Sequence, residues 1–252
     1  ADFGIAAIHF MTESMLEDLT VSGELGYYWF GAFLQNLSMG ADYIYGAYFW
    51  DCYYAWIKLT NEIISRASAM NLEDDAEVRD YLGQAYAYRA MFYLDLARIY
   101  EPKKNGYTEI SSDIEGLTVP IVDEFTTEEI AKNNPRATRE DIYGFILADL
   151  ENAEKFLDSK VTSYTRPTLS AVYGLYARAY LEMGYTDDAV NKDYNVLAAE
   201  YARKAITTSG KTPLNQAQWE DPANGFNSGI SNNAWIWGLT LSVENSSNLI
   251  TG

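Results

Sequence analysis

Hydrophobic positions recur every three or four residues along most of the chain, and this spacing predicts helices. Residues 76–100 give the clearest case, because two apolar stripes run along the same segment. One stripe contains Leu82, Tyr86, Ala90, Tyr93, Ala97 and Tyr100, and the other contains Ala85, Tyr88, Phe92, Leu96 and Ile99. A helix with two such stripes is buried on most of its circumference. We therefore expect it to pack between neighbouring helices, with alanines at the close approaches.

The same spacing predicts further helices over residues 4–20, 41–69, 138–157, 169–184 and 196–209. Thr138, followed three residues later by Asp141, resembles a capping box at the start of one of them. In the last helix we expect an inward face of Ala199, Ala202, Ala205 and Ile206. Glycine, proline and polar residues predict irregular structure over 21–40 and a long surface connection over 101–125. Residues 234–243, AWIWGLTLSV, form a strand-like run in a tail of loop composition.

Two pairs of predicted helices have the small-residue and aromatic pattern of tetratricopeptide units. Segments 169–184 and 196–209 form one pair, with a turn that residues 186–195 lengthen. Segments 82–100 and 138–157 form the other, separated by the long connection. Repeats of this kind bury their apolar faces against neighbours. The predicted fold class is mainly all-α, with tetratricopeptide-like pairs and irregular loop insertions.

Charge and cysteine content exclude several classes of protein. Eighteen basic and 36 acidic residues give a net charge of −18, which repels nucleic-acid phosphates and anionic lipid headgroups. The single cysteine, Cys52, excludes a disulfide within the chain and a cysteine-based zinc cluster. It lies in an aromatic run, YFWDCYYAW, and we expect it to be buried. No apolar run of about 18 residues is present to span a bilayer.

Candidate catalytic groups are sparse. His9 is the only histidine, and no nucleophile, zinc-protease or phosphate-binding motif surrounds it. Carboxylate pairs are common, but at predicted helix starts they are more typical of groups stabilised by the helix dipole than of glycosidase pairs. The sequence therefore predicts a protein that is not an enzyme, with an all-helical glycosidase as a remaining alternative. No cofactor is expected; a structural calcium at Asp74, Asp75 and Glu77 or at Asp187 and Asp188 stays open, although neither group has a known loop spacing.

An ordered set of segments resembles the SusD/RagB family of nutrient-binding surface lipoproteins from Bacteroidota. The segments are WDCYYAWIKLTNEIISRA, LGQAYAYRAMFYLDLARIYE, VPIVDE, ATREDIYGFILADLENAEKFL, RPTLSAVYGLYARAYLEMG, AAEYARKAI and NAWIWGLTL. The resemblance implies a single SusD-like helical domain over residues 1–252. It also implies that the family's lipid-bearing N-terminal cysteine and its irregular C-terminal portion lie outside this sequence.

The resemblance further implies a location and a partner. Family members are lipid-anchored at the cell-surface face of the outer membrane and act as a lid over a TonB-dependent, SusC-like transporter. The implied ligand is an oligosaccharide, with a peptide as the alternative. A tetratricopeptide-type interaction module that grips a partner peptide is the alternative from another class.

Arg89 stands in the middle of the most apolar helix. An unpaired buried guanidinium is costly, so its position predicts a carboxylate or carbonyl partner within the protein. The resemblance likewise implies a buried structural arginine. We favour this role over direct contact with a ligand.

The candidate ligand site is an aromatic platform near the N-terminus. Ring faces stack on the apolar faces of sugars while amides and carboxylates bind the hydroxyl groups. The predicted site residues are Tyr27, Tyr28, Trp29, Phe30, Asn36, Asp42, Tyr43, Tyr45 and Tyr48. We expect Trp219, Trp235 and Trp237 to serve in packing, because two of them lie on the strand-like run.

Overall fold

A computed structural model describes residues 4–15, 43–72, 75–104, 106–107, 109–158, 163–185, 190–226 and 233–238. Within these ranges the chain forms helices α1 (Gly4–Ser14), α2 (Ile44–Ala69), α3 (Ala76–Tyr100), α4 (Glu128–Lys132), α5 (Arg139–Phe156), α6 (Leu169–Gly184), α7 (Lys192–Ser209) and α8 (Gln216–Glu220). The described residues contain isolated bridges at Leu117 with Thr138 and at Tyr185 with Val190 but no strand. The predicted helical class is confirmed. Among the helices described, none is both long enough and apolar enough to cross a membrane.

The chain divides into two compact units, residues 1–55 with 239–252 and residues 56–238. Helix α2 contributes residues to both. In the first unit, Ile8, Phe49, Cys52 and Tyr53 are buried, as expected for Cys52. The single-domain organisation stays a prediction.

Helices of the second unit pack as the predicted pairs. Helix α6 packs along α7 and α3 packs along α5, while α5 and α3 also contact α6. Close approach is possible where side chains are small: a Cβ added at Gly83 on α3 would lie 2.6 Å from Cγ of Leu157, just after α5. The tetratricopeptide-like pairing is therefore confirmed.

Helix α3 is buried around most of its circumference, as its two stripes predict. Twelve of its residues are buried, including Leu82, Ala85, Tyr93 and Leu96. Ile99, at the end of the second stripe, is 38% exposed. At its other end, Leu82 and Ala85 join Ile64 and Ala67 of α2 and Phe156 of α5 in one apolar cluster.

Helix ends follow local capping chemistry. The Asp75 carboxylate accepts hydrogen bonds from the backbone N–H groups of Glu77 and Val78 at the start of α3. Thr138 Oγ1 accepts from Asp141 N at 3.1 Å and caps α5. The Asp141 carboxylate accepts from the Thr138 hydroxyl, so only the Thr138 half of the predicted capping box is formed. Helix α7 ends at Gly210, whose φ of 61° lies in the left-handed region that favours glycine.

The connection between α3 and α5 differs from the exposed segment that we predicted. Thr118 and Val119 are fully buried. Their backbone groups exchange hydrogen bonds with Ala137, at 2.8 Å from Thr118 N and 3.1 Å to Val119 O. Proline and polar residues correctly marked a non-helical segment, but composition could not show that its middle pairs with the chain before α5.

Helix α7 also differs from its predicted bounds and inward face. It begins at Lys192, capped by Asn191, so the last four residues of the predicted turn insertion, 192–195, are helical. Ala198 and Ala205 are its buried residues, whereas Ala199 and Ile206 are exposed. The face containing Tyr194, Ala198, Tyr201 and Ala205 turns inward because the tyrosines stack on α6.

The described part of the strand-like run, residues 234–238, forms a turn and a bend. Its Gly238 N–H donates to Tyr164 O at 2.6 Å. Alternating hydrophobic residues form a strand only when a neighbouring strand pairs with the backbone. No described segment supplies that ladder.

Candidate functional site

The predicted platform falls largely outside the described residues. Tyr27, Tyr28, Trp29, Phe30, Asn36 and Asp42 all lie there, and Tyr45 is described only as part of the α2 backbone. Tyr43 precedes α2 and is 49% exposed. Tyr48 is half-buried, with its ring centroid 6.3 Å from that of Phe49. The platform stays a prediction.

Arg89 occupies a buried charge network, as predicted. Its Nε and Nη2 donate to the two carboxylate oxygens of Asp149 at 2.8 and 2.7 Å. Its Nη1 donates to Asn61 Oδ1 and to Glu124 Oε2, each at 2.6 Å. The guanidinium also lies over the Phe145 ring, 5.0 Å from its centroid.

Protein groups thus surround this guanidinium, and both Arg89 and Asp149 are 2% exposed. Burial raises the pKa of Asp149 to about 6, against the opposing hydrogen bonds and charge of Arg89. The nearby carboxylates of Glu124 and Asp123 act in the same direction as burial. The network holds α2, α3, α5 and the connection together, and it supports a structural role for Arg89.

An exposed aromatic cluster lies elsewhere in the second unit. The Phe226 ring centroid is 4.5 Å from that of Trp219 and 5.2 Å from that of Trp235. Trp219 is 58% exposed and Phe226 is 42% exposed. Trp235 is half-buried, and its Nε1 is buried without a hydrogen-bond partner in the described part of the protein. Our assignment of Trp219 to packing therefore does not match its position.

Local backbone structure fixes this aromatic cluster. Asn215 and Gln218 form a complete capping box that starts α8, the helix carrying Trp219. Asp221 then accepts hydrogen bonds from the backbone N–H groups of Ala223 and Asn224. Gly225 lies so close to carbonyl oxygens of α8 and Asp221 that a side chain there would collide with backbone. The capping pair and the D-P-A-N-G turn were the sequence signals for an ordered, ring-presenting loop.

A cleft of about 370 Å³, lined by both polar and apolar side chains, lies beside the segment that carries Trp235. It is bounded by the start of α6, the end of α7 and residues 233–236. The described lining residues are Ser163, Tyr164, Thr168, Leu169, Ser170, Thr208, Ser209, Lys211, Asn233 and Ile236. Hydroxyl and amide groups beside the apolar side chains of Leu169 and Ile236 can bind a ligand that has both hydroxyl groups and apolar faces.

One of the carboxylates considered as calcium ligands serves as a helix cap, and three lie outside the described residues. Asp75 caps α3, whereas Asp74, Asp187 and Asp188 lie outside the described residues. Within the described ranges, no group of three or more His, Cys, Asp or Glu side chains is arranged to hold a metal ion. His9, on α1, is exposed.

Comparison with solved structures shows where this architecture occurs. A SusD-like carbohydrate binding protein from Bacteroides vulgatus superposes with a TM-score of 0.68 at 21% identity, covering 96% of this chain and 46% of that protein. A SusD superfamily protein from Bacteroides thetaiotaomicron superposes with a TM-score of 0.59 at 20% identity. The superposition covers 79% of this chain and 39% of that protein. At these identities the likeness shows the fold.

Two curated relatives come from Formosa agariphila. SusD-like protein P2 is 28% identical over 151 residues, which is 60% of this chain and 27% of the relative. SusD-like protein P38 is 28% identical over 177 residues, which is 68% of this chain and 29% of the relative. The chain therefore spans between a quarter and a third of the length of these relatives.

One family model matches most of the chain. It is the SusD-like family described as "Starch-binding associating with outer membrane", and it covers residues 5–181. That range includes α1 to α5, most of α6 and the Arg89 network. The protein belongs to the SusD-like family.

Proposed function

We propose that this protein captures oligosaccharides at the outer-membrane surface without turning them over and delivers them to a SusC-like, TonB-dependent transporter. An N-terminal lipid anchor, outside this sequence, would hold it at the cell-surface face. The match of residues 5–181 to a starch-binding, outer-membrane-associated family carries the proposal. The exposed rings of Trp219 and Phe226 support it, because sugars bind to exposed aromatic faces.

Binding is tested by calorimetric titration with panels of neutral and acidic oligosaccharides and of peptides. Saturable binding of one glycan class, with the glycan recovered intact, is the expected result. A response to peptides alone would favour the interaction module, and release of shorter sugars would favour the glycosidase.

The location of the binding platform is tested by substitution. Trp29→Ala tests the N-terminal platform, and Trp219→Ala tests the aromatic cluster of Trp219, Phe226 and Trp235. Loss of one stacking ring should weaken binding about tenfold. Tyr107→Ala is the matched control, because Tyr107 is 97% exposed and belongs to neither surface. If neither tryptophan variant binds more weakly than the control, both platforms are wrong.

Delivery is tested in the native membrane. The full-length lipoprotein, tagged at its C-terminus, should co-purify with a TonB-dependent transporter after detergent extraction. Uptake of the bound glycan should fall when the lipoprotein is deleted. Recovery without such a transporter, together with unchanged uptake, would contradict the proposed partner.

A further inference from the structure

The cleft between the start of α6, the end of α7 and residues 233–236 has a charge unlike that of the chain around it. None of its described lining residues carries a carboxylate, and Lys211 supplies one positive charge. The chain as a whole has a net charge of −18. An anion is therefore repelled by the protein in general, and this cleft is a local exception.

The N-terminus of α6 adds a second positive influence. The first turn of this 16-residue helix contains no acidic residue. Unpaired backbone N–H groups and the helix dipole both favour an anion at such an end. The charge of the α6 dipole is thus not offset by a side chain of its own first turn.

Two buried hydroxyl groups point to a ligand in this cleft. Thr168, the N-cap residue of α6, makes no side-chain capping hydrogen bond. Thr168 and Ser170 are each 7% exposed, and both line the cleft. Neither hydroxyl hydrogen-bonds to another described residue. Because both residues are largely buried and line the cleft, their hydroxyl groups are held in place there and are available to a bound molecule.

Lys211 is fixed near these hydroxyl groups by its neighbours. Its backbone N–H donates to Ser209 Oγ at 3.1 Å, just after the left-handed Gly210 that ends α7. Its Nζ donates to Asn233 Oδ1 at 3.3 Å, so the ammonium group contacts another residue that lines the cleft. An amide oxygen partner leaves the full positive charge in place, whereas a carboxylate would cancel it.

We propose that this cleft binds the acidic group of a uronate- or sulfate-bearing saccharide. Lys211 would pair with the acidic group, the α6 N-terminus would donate backbone N–H bonds, and Thr168 and Ser170 would bind its oxygens or adjacent sugar hydroxyl groups. The inference deepens the proposed function and rests on it, since it names the class of saccharide that the protein prefers.

The test compares trigalacturonate with its fully methyl-esterified form, in which each carboxylate is replaced by an uncharged methyl ester, each titrated calorimetrically into the full chain. We expect the acidic form to bind at least about tenfold more tightly, the effect of one charge-assisted hydrogen bond. The preference should shrink in high salt. A sulfated galacto-oligosaccharide of the same length distinguishes a sulfate-specific site from a uronate-specific one.

Variants assign that preference to the cleft. Lys211→Gln should abolish it, and Thr168→Val should reduce it several-fold without unfolding the protein, because the hydroxyl makes no cap hydrogen bond. Lys132→Gln is the control, since Lys132 is exposed on α4 and pairs with Glu128 on its own helix. Binding of the neutral ester and of the acidic form should both be the same in Lys132→Gln as in the unsubstituted protein.

The outcomes separate this inference from the proposed function. Equal binding of the acidic and neutral forms would overturn the proposed anion-binding role of the cleft while leaving saccharide capture intact. A preference that survives in Lys211→Gln would place anion recognition elsewhere and also overturn the inference. Binding of no saccharide, neutral or acidic, would contradict both.

Discussion

Arg89 on α3 and Asp149 on α5 form a two-pronged ion pair, with N–O distances of 2.8 and 2.7 Å, inside the helical stack. The two residues are 60 positions apart in sequence. Asn61 and Glu124 bind the remaining side of the same guanidinium. This network joins three helices and the connection at one buried point.

Removal of the guanidinium should destabilise the protein strongly. Arg89→Ala leaves the Asp149 carboxylate buried without a counterion, which costs about 3 to 5 kcal/mol in the free energy of unfolding. Arg89→Lys keeps the charge but loses the two-pronged geometry, so it should recover only part of the loss. Urea denaturation measures the free energy of unfolding of both variants. Arg66→Ala is the control: that side chain is 79% exposed, and its pairing with Glu62 should contribute less than about 1 kcal/mol.

The charge of Asp149 should give stability a distinctive pH dependence. Its pKa is raised in the folded protein from 3.8 to about 6, so the folded state binds more protons than the unfolded state between these values. The resulting contribution to the unfolding free energy is full below pH 3.8 and is lost as the pH rises through about 6. The wild type should therefore gain stability relative to Asp149→Asn as the pH falls from 7 to 5. A constant difference between the two proteins, measured by urea denaturation at each pH, would contradict the raised pKa.

Tyr93 anchors the connection to α3. Its hydroxyl donates to Val122 O at 2.8 Å and accepts from Val122 N at 2.7 Å. Tyr93→Phe leaves both backbone groups without this partner and should cost about 1 to 3 kcal/mol. Faster amide hydrogen exchange at Val122 would show that the loss is local. Tyr81→Phe should change little, because Tyr81 is 52% exposed and its bond to Glu77 is 3.4 Å long.

Replacing either of two helical glycines by alanine should change the stability of the protein, but in opposite directions. At Gly83 a Cβ would lie 2.6 Å from Leu157 Cγ and 3.0 Å from Leu157 N, so Gly83→Ala should cost about 1 to 3 kcal/mol through overpacking. At Gly144 on α5 a Cβ meets nothing within 4 Å. Gly144→Ala should stabilise the protein by about 0.5 to 1 kcal/mol, because alanine has the higher helix propensity. Thermal or urea unfolding of the two variants measures both changes in stability. A stabilising Gly83→Ala would mean that α3 and α5 lie further apart.

The helices could be predicted from the sequence because hydrophobic residues recur at helical spacing. A partner for Arg89 could be predicted because a charged side chain on a buried helix needs one. The sequence also carried an overlooked signal for that partner: Asp149 stands on the apolar face of its predicted helix between Ile146 and Leu150. The buried pairing of Thr118 and Val119 with Ala137 had no comparable signal. This pairing is made by backbone N–H and C=O groups. Every residue except proline has both groups, so the side-chain sequence does not show which of them will pair.

Prediction of the candidate site from sequence was less successful, for a physical reason. Aromatic residues in a glycine-rich segment indicate exposed rings, but they do not locate a surface. Trp219 was assigned to packing together with Trp235 and Trp237, because those two lie on the strand-like run, yet the short helix α8 presents Trp219 to solvent. The cleft at Thr168 brings together segments from residues 163 to 236, so it exists only in the folded protein.

The loops closed at Arg89 bear on how the protein folds. Its hydrogen bonds to Asn61, Glu124 and Asp149 close loops of 28, 35 and 60 residues, and each closure costs chain entropy before the bond repays it. A simple solenoid has contacts only between neighbouring repeats, so it can unfold one repeat at a time. Here one buried cation ties distant segments to a common point. Helices α2, α3 and α5 and the connection should therefore unfold together, as a single cooperative unit.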